Sequence, residues 1–489
     1  MEKNNVTEIT VKRELAKSQI VAEAKLPASG ATKVLGADAS LSLAVTECFS
    51  GEVRVSGTES ISIMFLTADG AEPTAAAVDF TDRIECRATA ATRAKVSGRV
   101  LDTDIVAIEA DGVRLASVIE ITVWELVTFS LPSPEMPEGV FGNEKHIKCS
   151  SLAAAFSAKT VIESDEIFKA ETLLSASGRV TVSAAEAALD SVMVSGEVII
   201  DACGASGDGM ASGEIMIPFV EEIPASGARA GDIAAARACV CKVGSVETDG
   251  GFSFAVTVQL DGEVYCRSSV DVVADAFSTS HALSREEETV SLSDVKASAF
   301  VSERADGSVT LAEGDSADSV IALAGFEFLS ENVYISFGKV VVEGALSGTI
   351  AYFDAEAAAR KTVNALIPVK VSTSVDAEEG DEAQAAGSVG KISVKLRRSG
   401  EIDIKADVLL NVVVSQSITE KIISGISAGD MLEAAGGAIS VYIASESESL
   451  WDCAKALRVK PETLTVQNPA LNFPLRRGEK VIIFRDSGQ

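Results

Sequence analysis

Val53-Arg-Val-Ser-Gly57-Thr-Glu-Ser-Ile-Ser-Ile-Met-Phe65 runs as a strand into a glycine and out into a second strand. The design returns at Val192-Met-Val-Ser-Gly196-Glu-Val-Ile-Ile-Asp-Ala-Cys-Gly204 and at Val340-Val-Val-Glu-Gly344-Ala-Leu-Ser-Gly-Thr-Ile-Ala-Tyr352. The glycines lie 139 and 148 residues apart. Each stretch then meets a turn, at Ala68-Asp-Gly70, Gly207-Asp-Gly209 and Asp354-Ala-Glu356. An apolar anchor follows: Val78-Asp-Phe80, Ile217-Pro-Phe219 and Ile367-Pro-Val369, spaced by 139 and 150 residues. Two landmarks that keep nearly one period mark internal repetition. A glycine inside a strand marks a bulge or a close backbone approach, so it reads as a folding device.

Working outward, each unit closes on further alternating runs. These are Ala94–Val100 and Ser117–Val123, then Ala238–Val243 and Phe252–Val258, then Lys391–Leu396 and Ile402–Leu410. Seven or so short strands per unit, with no helical crossover between them, predict a mainly β chain of three tandem antiparallel β-sandwich-like repeats or open barrels. The expected units are 1–130, 148–280 and 288–428, followed by a small C-terminal βααβ unit over 438–486. The joints read as Leu131-Pro-Ser-Pro-Glu-Met-Pro137, an extended spacer, and as the surroundings of Ser284-Arg-Glu-Glu-Glu288. Gly425-Ile-Ser-Ala-Gly429 and Gly436-Gly437 lead into the last unit. The acidic run Asp376–Ala383 reads as a solvated loop inside the third.

Composition agrees with several small cores. Of 489 residues 47% are hydrophobic and only 5% aromatic, so Val, Ile, Ala and Leu must fill the interior. The polar start Met1–Thr10 lacks a signal-peptide core, and no apolar run is long enough for a membrane helix. A cytoplasmic protein without membrane insertion is expected. The eight cysteines form no CxxC pair, which predicts buried reduced thiols, with no metal. A net charge of −30 disfavours nucleic acid and anionic membrane as partners, since both need a positive surface.

The last unit changes period. Ile439-Ser-Val-Tyr-Ile443 reads as a strand, and Ser449 as the N-cap of a helix with Leu450, Cys453, Ala454 and Leu457 on one face. Pro461 opens a second short helix with Leu464 inward, and Lys480–Phe484 closes as a strand. From Ile439 to Arg485, seven basic and five acidic residues give +2, against −32 for the remainder. Such a module folds back on an acidic unit or presents its basic residues to an acidic partner. The plainer reading is a solvated surface.

Residues 439–485 resemble a LysM domain. Tyr442 matches the aromatic of its first strand, and Ser447-Glu-Ser-Leu-Trp451 stands where the family has Gly-Asp-Thr-Leu-Trp. Val459 and Leu464 precede the family asparagine, here Asn468; Gly478 and Val481–Phe484 match the final turn and strand. The three upstream units resemble the tandem β-domains of SipL-like spore-coat morphogenetic proteins, which usually carry a C-terminal LysM module. The resemblance implies a non-enzymatic scaffold in the mother-cell cytoplasm, at the developing spore surface, bound to the basement-layer morphogenetic ATPase of the coat. It also implies a groove for N-acetylglucosamine-containing glycan between two loops. Those loops supply the contact candidates Ser447, Glu448, Ser449, Trp451, Asn468, Pro469, Ala470 and Leu471. A Cβ at Ser447, where the family has glycine, narrows that groove. Leu450 reads as core, and Asn468 as a cap on local backbone. A cell-wall glycan binder is the alternative function.

An enzyme finds little support. His146 and His281 fall in expected linkers, and no GxSxG, HExxH, P-loop or dinucleotide fingerprint occurs. No cofactor is expected. A carboxylate pair brought together in space would make a glycosidase, and no spacing points to one.

Overall fold

The computed structural model describes residues 8–207, 209–397, 400–433 and 438–485. Asp208 of the second turn, the Gly436-Gly437 pair and residues 1–7 lie outside them. The chain is mainly β. A first set of strands comprises β1 (Glu8–Pro27), β2 (Lys33–Phe49), β3 (Glu52–Leu66), β4 (Ala71–Glu85), β5 (Ala94–Glu109) and β6 (Gly112–Ser130). A second comprises β7 (Val140–Glu163), β8 (Thr172–Ala188), β9 (Ser191–Ser206), β10 (Gly209–Pro224), β11 (Ile233–Thr248) and β12 (Gly251–Ser278). A third comprises β13 (His281–Thr310), β14 (Ser319–Ser336), β15 (Lys339–Asp354), β16 (Ala359–Ser372), β17 (Glu382–Arg397) and β18 (Glu401–Met431). In every set the sixth strand lies between the first and fifth in one antiparallel sheet. The third lies between the second and fourth in another. The second strand runs beside the fifth, which brings the two sheets together along one margin.

The strands are fewer and longer than the sequence suggested: six per set, from 14 residues in β16 to 31 in β18. The reason is the bulge. Register shifts at Glu14/Ala16, Val182/Ala184 and Val273/Asp275 bend strands without ending them. The central strands show the cleanest alternation. In β6, Val113, Leu115, Ile119, Ile121 and Val123 point inward, and in β18 so do Ile402, Ile404, Val408, Leu410, Val412 and Val414. Each such side chain, fully buried, contributes about 1.5–3 kcal/mol. Prolines fall on the edge strands β4, β10 and β16 (Pro73, Pro218, Pro368), the positions in a sheet that tolerate them best.

The sequence landmarks share one register. Gly57 stands opposite Phe80, Gly196 opposite Phe219 and Gly344 opposite Val369. A Cβ on Gly57 would meet the Phe80 ring at 2.4 Å; on Gly196 it would meet the Thr181 carbonyl oxygen at 2.0 Å, and on Gly344 that of Leu329 at 2.2 Å. All three glycines permit a close approach.

In the second and third sets, residues of both sheets merge into one core. In the first the core is split in two. The sets then meet in shared clusters. One joins Leu35 and Met64, Leu174 and Cys203, and Ile321 and Ala351, from the second and third strands of each set. Another joins Ile9, Cys149, Val270, Val272, Val290, Leu292 and Ile422, from the first and sixth strands.

Several joints differ from expectation. Ser284–Glu288 lies within β13, paired with β18 from Ser427 to Ile422, because its charges sit on the solvent side of an edge strand. Gly425–Gly429 lies within β18. His146 is a strand residue of β7 and His281 opens β13, so neither is in a linker. Asp381, in the acidic loop, has its side chain turned inward, pairing with Lys296 at 2.7 Å instead of facing solvent. All eight cysteines are unpaired; Cys149, Cys203, Cys241 and Cys453 are buried. Among the described residues no helix is long and apolar enough to cross a membrane.

Candidate partner-docking module

After β18 the chain forms β19 (Ile439–Ile443), α1 (Leu450–Leu457), α2 (Pro461–Gln467) and β20 (Lys480–Phe484). The strands pair antiparallel, with Ile439 opposite Phe484, Val441 opposite Ile482 and Ile443 opposite Lys480. Helix α1 starts at a capping box. The Asp452 N–H donates to Ser449 Oγ (3.2 Å), and the Ser449 N–H to Asp452 Oδ2 (3.0 Å). It stops at Arg458, whose φ of 52° is left-handed. Pro461 occupies the first turn of α2. Cys453, Ala454, Leu457, Leu464, Val481 and Ile483 form the module's core, with Leu450 half-buried against it.

The predicted contact residues have diverse surroundings. Ser447 is exposed at a φ of 62°, the left-handed region that a glycine would tolerate better. Its N–H donates to the Leu475 carbonyl at 2.9 Å. Glu448 accepts from the Tyr442 hydroxyl (2.7 Å) and from the Ser445 N–H (3.1 Å). That bond to Glu448, helped by burial, pushes the Tyr442 hydroxyl up to about 12. Ser449 is engaged in the helix cap. Trp451 turns toward the second set: its Nε1–H donates to Asp275 Oδ2 at 2.9 Å, and its ring meets Phe277 edge-on at 4.9 Å. Asn468 Nδ2 donates to the carbonyls of Leu464 (3.1 Å) and Ile482 (2.8 Å), and Oδ1 accepts the Ile482 N–H (2.9 Å). Pro469 and Ala470 are exposed, and Leu471 is half-buried against the core. Ser447–Ser449 packs beside Leu475, whereas Asn468 is tied to α2 and β20. No hydrogen bond joins the two stretches among the described residues.

Three participants had no sequence signal. Gln467 works beside Asn468, its amide donating to and accepting from the Phe484 backbone at 3.0 and 2.7 Å. Asp275 and Phe277 belong to β12, far away in the chain, and Ala274-Asp275-Ala276 reads as an ordinary solvated strand end. Asp275 also accepts from Lys455 (2.6 Å) and Arg285 (2.8 Å). Burial works to raise its pKa, but the bonds from Lys455 and Trp451 outweigh burial and hold it below the usual carboxylate value.

The outer face of the module's sheet is apolar. Ile439, Val441, Ile443, Ile482 and Phe484 are all exposed. Lys480 continues that ladder, and Arg476, Arg477 and Lys480 are exposed without an ion pair among the described residues. Elsewhere, among the described residues, no group of three His, Cys, Asp or Glu side chains is arranged to hold a metal ion.

No family model matches the chain, and no curated protein does. Among solved structures, the LG1-3 region of the laminin alpha2 chain aligns with 87% of this chain and 100% of its own, at 10% identity and a TM-score of 0.06. At that score the likeness informs neither fold nor function.

Proposed function

We propose that this chain is a non-enzymatic scaffold of endospore coat assembly, acting in the mother-cell cytoplasm at the developing spore surface. In this reading the three strand sets are copies of one β-sandwich-like domain, and residues 439–485 are a LysM domain. The module docks the basement-layer morphogenetic ATPase of the coat. The observation that carries the reading is the exposed apolar ladder of β19 and β20, flanked by uncompensated basic residues. A contiguous exposed apolar face favours a protein partner, and the basic rim favours an acidic one. Glycan binding is supported less. It needs free polar groups in the groove, whereas Glu448, Ser449, Trp451 and Asn468 are engaged within the chain.

The test uses the full chain with Val441→Lys, which places a charge in the middle of the ladder. Capture of the coat ATPase should fall by about tenfold or more, as expected when an interface centre is disrupted. Wild-type capture should weaken at high salt. Unchanged capture by the variant, or tight salt-insensitive binding of N-acetylglucosamine oligomers with no ATPase captured, would overturn the docking reading and favour a cell-wall glycan binder.

A further inference from the structure

The module's other apolar face is covered by its own chain. Phe277 of β12 joins the module's core cluster, its ring against Trp451, and Phe141 of β7 packs on Phe277 with ring centroids 5.6 Å apart. Asp275 stands next to this aromatic contact and gathers three side-chain donors from two elements. They are Trp451 Nε1 and Lys455 Nζ on α1, and Arg285 on β13. Trp451 and Lys455 are four residues apart and so share one face of the helix. Three charge-assisted bonds, two of them from α1, and an aromatic edge contact converge on one spot.

We propose that Asp275, with Phe277, is a receptor built into the second strand set for the Trp451–Lys455 face of the C-terminal module. It latches the module in place and withholds Trp451 from outside ligands. The kind of surface it fits is a helix that presents an indole N–H and a cation one turn apart. Its consequence rests on the docking reading above: while the latch is closed, the β19–β20 face is what the module offers to a partner. Opening would release a tryptophan next to the loops that resemble a glycan groove.

The experiment reads the latch without any partner. The chain has two tryptophans, so Trp124→Phe leaves Trp451 as the reporter. In that full-length background, acrylamide quenching of emission is compared for Asp275→Ala, for Lys455→Glu and for the parent. Losing one charge-assisted bond should raise the open population by about tenfold, and quenching should rise in both variants and partly in the parent at high salt. Lys455 is on the surface of α1, so Lys455→Glu tests the latch even where Asp275→Ala fails to fold. A quenching constant for Lys455→Glu equal to the parent's would overturn the proposal. Capture of the coat ATPase, measured separately on the same variants, tells failure of the latch from failure of docking.

Discussion

The first and third strand sets each bury a carboxylate at 0% exposure, and the two fare in opposite ways. Glu59 lies two residues beyond Gly57, where the second and third sets have the fully buried Val198 and Leu346. Neither of its oxygens has a hydrogen-bond partner of normal geometry. Burial raises its pKa, and the neighbouring Ser117 hydroxyl opposes that only in part. Glu59 and Ser117 sit where the first core divides: Val53, Val55, Ile119 and Ile121 fall in one half, and Ile61, Ile63, Val113 and Leu115 in the other. Asp354 of the third set has Lys361 at 2.7 Å and an N–H from Ala357 at 3.0 Å. The Lys361 bond and the N–H groups of Ala357 and Ser316 hold its pKa down at about 2. Burial alone therefore does not set the sign of a carboxylate's effect; the partner does.

The comparison is broken most directly by moving the unpaired acid. Leu346→Glu puts a carboxylate in the continuous third core with no cation beside it. It should cost about 3–5 kcal/mol in urea unfolding. A loss below about 1 kcal/mol would mean that the cores tolerate such a group generally.

The next largest effect separates the glycines. In Gly196→Ala the new Cβ meets a backbone carbonyl, which cannot move aside. In Gly57→Ala it meets the far end of the Phe80 ring and Leu43, which can. Gly196→Ala should cost about 2–3 kcal/mol and Gly57→Ala about 1 kcal/mol by thermal unfolding. Equal costs would remove the distinction between backbone and side-chain crowding.

Glu59→Leu should stabilise the chain by about 1–3 kcal/mol at neutral pH by rejoining the first core. Because the folded pKa is raised, the wild-type penalty is absent below the unfolded glutamate value of about 4.3, grows as pH rises through the folded pKa, and is complete above it. The gain from Glu59→Leu should therefore shrink in acid. A pH-independent gain would assign it to packing alone.

The smallest effect is a change of profile. Asp354 has a depressed pKa, so its contribution is present above the unfolded aspartate value of about 3.9 and lost as pH falls toward about 2. Lys361→Gln keeps a donor and removes the charge, so acid unfolding should begin at a higher pH. Superimposable acid-unfolding curves would show that the N–H bonds suffice.

Period and alternation made the β content, the three glycine landmarks and the elements of the last module legible in the sequence. These are local signals. A strand glycine, a Ser449 cap and a Pro461 start each depend on a few neighbouring residues, and the structure has all of them; that each glycine stands opposite its anchor came only from strand pairing. Asn468 was legible too, since a side-chain amide after a short helix finds nearby backbone first.

Other features depended on residues far apart in the chain. Bulges join neighbouring runs into single strands, so the count of six had no signal in alternation. Whether Glu59 is buried without a cation, or Asp354 with one, turns on which strand lies opposite and what it carries. Trp451 read as a groove residue because its own loop resembles one; only the packing of α1 on β12 brings it to Asp275, 176 positions earlier in the chain. Local sequence determines secondary structure through short-range sterics and hydrogen bonding. The pairing of charges and the direction in which an exposed aromatic finally turns are tertiary facts, because they depend on surfaces that meet only once the chain has folded.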